Sequence, residues 1–208
     1  MDTIVISAFP CCGKSYAFNN YQNTYEILDS DSSNFSWTYR KRNEEELEQC
    51  RKDFESTPHL MSTEDFIERL KNETVKRRNP DFPNNYIQHI KDNMGKVDFI
   101  FVSSHLQVRQ ALQDNNIPFC TVYPYSGYLN EWIGRMYQRG SNNDFINFQI
   151  EHWDEFTMRI DYEPHGKFIY RLGHNEYLDL DVLKMLYERM NGTFTGNLGL
   201  RRIEEIEN

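Results

Sequence analysis

The chain has 208 residues, 38% hydrophobic and 14% aromatic, with 32 Asp and Glu against 23 Lys and Arg for a net charge of −9. That length supports one sizeable core, and the acidic field excludes a general nucleic-acid-coating role, leaving room only for a local basic groove. No apolar run approaches the roughly 18 residues of a membrane span.

The opening Met1-Asp2-Thr3 lacks a basic region before its first apolar run, so no signal peptide is expected. The four cysteines (Cys11, Cys12, Cys50, Cys120) show no C-x-x-C spacing, and the six His do not cluster with them. A cysteine-based metal site is therefore not expected, and reduced thiols in a cytoplasmic protein are.

Short apolar runs alternate with helical patterns, which predicts an α/β protein with a mainly parallel, five-stranded sheet. The first strand is predicted over 3–7, with Ile4, Val5 and Ile6 consecutive, as in a strand buried on both faces. A glycine-containing loop and a helix from about Lys14 follow. The second strand covers 25–28, the third 97–102, the fourth 119–123, stopped by Pro124, and the fifth 168–172. Val108, Ala111 and Leu112 share one helical face before strand four. Leu129, Trp132, Ile133 and Met136 follow the i, i+3, i+4, i+7 spacing after it. Leu183, Leu186, Tyr187 and Met190 repeat that spacing after strand five, and Asn191-Gly192 closes the helix. From Thr193 the tail is predicted to be loosely held.

About 65 residues separate strands two and three, too many for a simple crossover. They contain a helix capped by Ser62, with Asp65 three residues on, and a second helix beginning near Pro83 with Ile87, Ile90 and Met94 on one face. Residues 32–95 are thus expected to form an inserted helical subdomain within a single domain spanning 1–208.

Residues 8–15 read A-F-P-C-C-G-K-S. The phosphate-loop pattern G-x-x-x-x-G-K-[ST] is met at its last three fixed positions, Gly13, Lys14 and Ser15, and the loop lies between the first strand and a helix, as its mechanism requires. The loop with Pro10, Cys11, Cys12 and Gly13 and the helix N-terminus at Lys14, Ser15 and Tyr16 would bind the phosphates, the backbone N–H groups of the residues after Pro10 surrounding them. Lys14 would reach the β- and γ-phosphates, and the Ser15 hydroxyl would bind Mg²⁺. The first fixed glycine is replaced by Ala8, which costs about 1 kcal/mol if that position needs a positive φ.

Asp29 and Asp31 follow strand two. At i and i+2 of an extended segment both carboxylates can face the phosphate site, one toward the metal and one toward an acceptor hydroxyl. The other reading of Asp29-Ser30-Asp31 is a turn built on Asx side chains.

On these motifs, A-F-P-C-C-G-K-S and D-S-D, the chain resembles the nucleoside-monophosphate-kinase-like branch of P-loop proteins, including adenylate and shikimate kinases, and is similar to bacteriophage deoxynucleotide-kinase-like proteins. The resemblance implies a three-layer P-loop sandwich, ATP and Mg²⁺ as donor and cofactor, an acceptor-binding insertion after strand two and a lid after strand four, here 125–160. Arg135 and Arg139, one helical turn apart, are the candidate lid arginines for stabilising charge on the transferring group, or else an exposed basic face. The chain departs from adenylate kinases in having Ser103-Ser104-His105 after strand three, with Arg109 a turn later. His105, Arg109 and Trp37 are candidate acceptor contacts. Phe35, Trp37 and Tyr39 alternate as a stacking face or as core of the insertion, and the clusters 40–42 and 76–78 read as phosphate contacts or solvated faces.

The function expected from this reading is Mg²⁺-dependent transfer of the γ-phosphoryl group of ATP to a nucleoside monophosphate or similar small acceptor. Lys14, Asp31, Arg135 and Arg139 would be catalytic, and Ser15 and Asp29 would hold the metal. Two alternatives remain: a kinase acting on a hydroxyl of DNA or RNA, and a nucleotide-binding NTPase or switch. The expected partner is a small molecule, without a membrane, for a monomer or homodimer.

Overall fold

The computed structural model describes residues 3–193 and 203–204. The predicted looseness of the tail concerns residues that, apart from Thr193 and those last two strand positions, lie outside the described ones. Two compact units form, Met1–Ser32 with Pro83–Asn208, and Ser33–Phe82.

The first unit is built on a parallel sheet. Its strands are β1 (Ile4–Ala8) and β2 (Ile27–Asp29), separated by helix α1 (Lys14–Asn20). The second unit then contributes α2 (Ser33–Ser36), β3 (Trp37–Lys41), α3 (Glu44–Glu55), α4 (Thr63–Asn72) and β4 (Thr74–Arg78). The first unit resumes with α5 (Asn84–Asn93), β5 (Phe99–Ser103), α6 (Leu106–Asp114) and β6 (Phe119–Pro124). It continues with α7 (Leu129–Gln138), α8 (Asn143–Glu151), α9 (Trp153–Met158), β7 (Ile169–Leu172), α10 (Leu180–Met190) and β8 (Ile203–Glu204).

The strand order is β2-β5-β1-β6-β7-β8, with the first five strands parallel and β8 antiparallel to β7. The five predicted strands are therefore present and joined in one parallel sheet. Alternation along the strands buries both faces, as a parallel sheet requires. Ile4, Ile6, Phe99 and Phe101 share one apolar cluster with Ala17 of α1 and with Leu183, Leu186 and Met190 of α10. Val5, Ile100 and Val102 point the other way and are equally buried, as are Tyr86, Ile87 and Ile90 of α5 and Val108 and Leu112 of α6, two helices that pack side by side.

The second unit differs from the helical insertion expected over 32–95. It is narrower and mixed: β3 and β4 form an antiparallel two-stranded sheet beside α3 and α4. Trp37-Thr38-Tyr39 is a β-favouring run, and so is Thr74-Val75, which pairs with Lys41 and Arg40 at the other end of the ribbon. α5 belongs instead to the first unit, where Tyr86 Oη donates to the Ser30 carbonyl at 2.6 Å. Ser62 does cap α4, accepting from the Asp65 N–H at 3.1 Å.

Residues 125–160 are also not a detached flap. Trp132 and Trp153 are fully buried in the main cluster, Trp153 lying edge-on to Phe9 with ring centroids 5.8 Å apart. The indole of Trp153 donates to the Ser126 carbonyl at 2.6 Å. These two buried rings seat the segment in the main cluster.

One turn is fixed by close approach. Gly166 has φ +78°, and a Cβ there would sit 2.0 Å from the Phe119 carbonyl oxygen, which accepts from Lys167 N at 2.7 Å. Gly166→Ala is expected to lower stability by about 2–4 kcal/mol through the positive φ and the backbone displacement together. Denaturant titration of the two proteins measures it.

Candidate active site at the carboxyl edge of the sheet

β1 lies at the centre of the sheet between β5 and β6. The connection leaving β1 runs to one side and those from β2 onward run back to the other. In such sheets the crevice at the carboxyl ends of the strands, where the order reverses, is the ligand-binding position. The loop at 9–13 occupies that place. Ala8 is still strand, paired with Ser103 and Val122, and the Phe9 N–H donates to the Val122 carbonyl at 2.9 Å. The absent glycine at position 8 therefore costs nothing in backbone conformation. The positive φ values fall instead on Cys11 (64°) and Gly13 (102°).

The loop is held from behind by its carbonyls. Trp132 Nε1 donates to the Pro10 carbonyl at 2.9 Å, Arg135 Nη1 to that of Cys11 at 3.4 Å, and Leu178 N to that of Cys12 at 2.8 Å. A trans peptide directs its N–H opposite to its C=O. Anchoring the carbonyls of Pro10 and Cys12 into the body therefore turns the N–H groups of Cys11 and Gly13 outward. The N–H of Cys12 turns back to the Phe9 carbonyl at 3.4 Å. Gly13 is needed on both counts, since a Cβ there would meet Leu178 N at 3.2 Å and Tyr177 Cβ at 3.3 Å.

Lys14 opens α1 and curls back over the loop, its ammonium donating to the carbonyls of Ala8 and, at 3.5 Å, Phe9. Desolvation pulls its pKa below the ordinary lysine value, and the nearby Arg139 charge acts in the same direction. Asp29 opposes both. Ser15 Oγ donates to Asp29 Oδ2 at 3.0 Å, so a hydroxyl and a carboxylate meet beside the lysine. Cys12 points into the core, its thiol donating to the Val122 carbonyl at 3.7 Å, and burial pushes its pKa up to about 12, so it stays protonated. Tyr16, on the next turn, is exposed and meets Tyr21 edge-on at 5.9 Å.

Asp29 is paired with Phe101 at the end of β2, and Asp31 is exposed two residues on. Burial raises the pKa of the Tyr86 hydroxyl, and the charges of Asp31 and Asp29 raise it further. The hydroxyls of Ser30, between the two aspartates in sequence, and of Ser103, at the end of β5, are buried without a hydrogen-bond partner among the described residues. Orphaned buried hydroxyls of this kind mark a place where water or a ligand group is accommodated.

The arginines separate sharply. Arg135 is buried, not poised on a closing element. Its guanidinium lies 4.0 Å from the Trp132 ring centroid and 3.7 Å from that of Tyr177, donates to the Glu176 carbonyl at 2.9 Å, and pairs with Glu131. Arg139, at the end of α7, is exposed, and its charge is felt at Lys14. Arg109 is buried as well. It pairs with Glu163 at 2.6 Å and donates to the carbonyls of Ser104 and Pro164 at 3.1 and 2.5 Å, so it is committed to holding the 163–164 turn, not to an acceptor. His105 is exposed at the N-terminal boundary of α6, next to Ser104. Trp37 belongs to the second unit, on β3.

Sequence reasoning missed the segment 173–179, which lies against the loop. Leu178 and Tyr177 pack against Gly13, while Glu131 accepts from His174 at 2.8 Å and from Asn175 N at 3.0 Å. A run of Gly173-His174-Asn175-Glu176 reads only as a turn. Its role depends on which strand it follows. Among the described residues no three His, Cys, Asp or Glu side chains cluster as a metal cage, and no helix is long and apolar enough to cross a membrane. Compared with known proteins, the chain matches no family model and no curated sequence.

Removing Arg135 should undo the back of the loop. Arg135→Ala leaves Glu131 without its buried partner and opens the space between two aromatic rings, and is expected to cost about 3–5 kcal/mol. Glu131 loses ground to desolvation, but the His174, Arg135 and Asn175 hydrogen bonds outweigh this and hold its carboxyl below the usual range. A depressed carboxylate stabilises the fold above its unfolded pKa and ceases to do so as pH falls through its folded value. Glu131→Gln should therefore flatten the acid side of the stability–pH curve, read by denaturant melts between neutral and acidic pH.

Proposed function

We propose that the chain is a P-loop phosphotransferase, moving the γ-phosphoryl group of ATP onto a nucleoside monophosphate or similarly small acceptor. The observation that carries this reading is the 9–13 loop, whose carbonyls are tied into the body while N–H groups turn outward beside Lys14. The outward N–H groups of Cys11 and Gly13, with the Lys14 ammonium beside them, offer donors to an anion, and phosphate is the anion this motif spacing suits. The strand order, with the loop-bearing strand in the middle of five parallel strands, supports the same reading.

Mg²⁺ fits the residues present. A serine hydroxyl and a carboxylate oxygen 3.0 Å apart offer the hard oxygen ligands the ion takes, and it needs few from protein because phosphate oxygens and waters complete its shell. Bound there by Ser15 and Asp29, it would neutralise phosphate charge. Lys14, with its ammonium over the loop, would bind the terminal phosphates as a point charge. An arriving polyanion compensates the desolvation that lowers its pKa. Arg139 supplies a second exposed cation near Lys14, while Arg135 supports the loop from behind.

Asp31 is the group for the acceptor. It is exposed and stands two residues beyond Asp29, past the carboxyl end of β2, where an acceptor can approach it from solvent. Its work is to orient the acceptor hydroxyl or phosphate and take its proton late in transfer. His105 lies on the same carboxyl edge, just past β5, and serves as a further acceptor contact.

The test is ADP formation from ATP with Mg²⁺ over a panel of nucleoside monophosphates, nucleosides and small hydroxy acids. Lys14→Ala should reduce transfer by at least about 10²- to 10³-fold, with circular dichroism confirming that the variant is folded. A mutant turning over near the wild-type rate would overturn the phosphate-loop reading. The aspartates should separate kinetically. Asp29→Asn raises the Mg²⁺ requirement, whereas Asp31→Asn slows transfer by about 10²-fold, the lower end of the general-base range, with little change in triphosphate binding.

A further inference from the structure

The second unit carries a charge distribution unlike the rest of the chain. Residues 33–82 hold ten Lys and Arg against eleven Asp and Glu, a near-balance in a protein of net −9. Within that unit the signs are sorted by element. β3 and β4 carry five basic residues (Arg40, Lys41, Lys76, Arg77, Arg78) and no acidic one, while the acidic side chains sit outside the strands.

The register sorts the strands further. Trp37 lies opposite Arg78, Tyr39 opposite Lys76, and Lys41 opposite Thr74, so these six side chains share one face of the ribbon. Thr38, Arg40, Val75 and Arg77 form the other. That second face is occupied: Arg40 donates to both oxygens of Glu46 at 2.7 and 3.0 Å, and Arg77 Nε donates to Glu46 Oε1 at 2.9 Å. Those bonds hold the Glu46 carboxyl down to about 2. The first face is exposed at all six positions, with Arg78 also lying over the Phe82 ring at 5.0 Å. Trp37 is 37% and Tyr39 68% exposed, Lys76 Nζ lies 4.5 Å from the Trp37 ring centroid, and Arg78 reaches the same ring at 5.3 Å.

We propose that the open face of the β3–β4 ribbon, Trp37, Tyr39, Lys41, Lys76 and Arg78, binds a single-stranded polynucleotide. Two aromatic rings on alternate positions of one strand supply stacking surfaces for bases, and the cations across the ladder supply phosphate contacts, the two ingredients that sequence-tolerant single-strand binding combines. The ring of Trp37 is pre-ordered by cations above it, which lowers the cost of presenting it to a base. A duplex fits the face poorly because its bases are stacked on one another and present only edges and phosphates. The surface is separate from the phosphoryl-transfer reading, and its test needs no triphosphate.

The full chain has a built-in reporter. Of its three tryptophans, Trp132 and Trp153 are buried and Trp37 is exposed, so base stacking on this face should quench the Trp37 contribution to the emission. The experiment titrates the protein with oligo-dT and oligo-rU of about 12 nucleotides, a matched duplex, and heparin, following tryptophan emission and the anisotropy of a labelled strand. Single strands should quench and bind, with affinity falling between about 50 and 200 mM salt along a log–log slope near −2 for three phosphate contacts. Lys76→Gln should flatten that slope by about 0.7. Trp37→Leu should remove the quenching and weaken binding about ten-fold, with circular dichroism confirming that both variants fold. Tighter binding of dT assigns DNA and tighter binding of rU assigns RNA. The proposal is overturned by no binding at the lower salt, by binding without quenching, by duplex or heparin binding as tightly as single strands, or by Lys76→Gln and Trp37→Leu behaving like the parent.

Discussion

The site depends on one constraint: the carbonyls of Pro10, Cys11 and Cys12 are tied into the body by an indole, a guanidinium and a backbone N–H. Each anchor comes from an element that must be packed before it can donate. Trp132 and Arg135 lie one turn apart on α7, and Leu178 precedes the Asp179 cap of α10. The loop is therefore organised by tertiary structure, and its N–H groups are aimed before any ligand arrives. Preorganisation of this kind matters because dipoles already in place need not reorient as charge develops. It also explains the investment in Arg135, whose ring contacts and pairing with Glu131 fix the one donor aimed at Cys11.

The same constraint accounts for how much could be read from the sequence. The five strands of the parallel sheet were legible because each is a short, largely apolar run closed by a polar or proline residue. The loop was legible because Gly13, Lys14 and Ser15 stand at fixed spacing after such a run. The anchors were not. Arg135 reads from spacing alone as one of two arginines on a basic flank, and nothing local says that its neighbours Trp132 and Tyr177 enclose it while Arg139 stays in solvent. Arg109 was misread for the same reason, since its partner Glu163 is 54 residues away. A long charged side chain is placed by its partner, and distant partners leave no periodic trace.

The second unit shows the opposite failure. Its helices announce themselves through Ser62 and the apolar face behind it, and they drew the whole stretch into a helical reading. The ribbon that flanks them is marked only by Trp37-Thr38-Tyr39 and Thr74-Val75, too short to outweigh the five charged residues in the same two strands. What fixes the pairing is Glu46, which accepts from Arg40 on one strand and Arg77 on the other and simultaneously closes the cap of α3 with Asn43. One carboxylate thus joins helix to sheet, and it is the tertiary contact that reveals which basic residues are structural and which face outward.

The position of strain completes the comparison. A phosphate-loop pattern read residue by residue assigns the cost of its missing glycine to Ala8, yet Ala8 is an ordinary strand residue with its side chain in the core. The left-handed conformation has moved three residues on, to Cys11, where a non-glycine residue costs about 1–2 kcal/mol. That cost is borne at the residue whose carbonyl Arg135 holds. Clamping offsets the strain, and the strain in turn gives the chain the sharp reversal that separates the outward N–H of Cys11 from the inward-turned N–H of Cys12. A glycine at position 8 would add freedom where none is used. The fixed feature of such a loop is the set of anchored carbonyls, and the sequence position of its tightest turn can shift so long as those anchors hold.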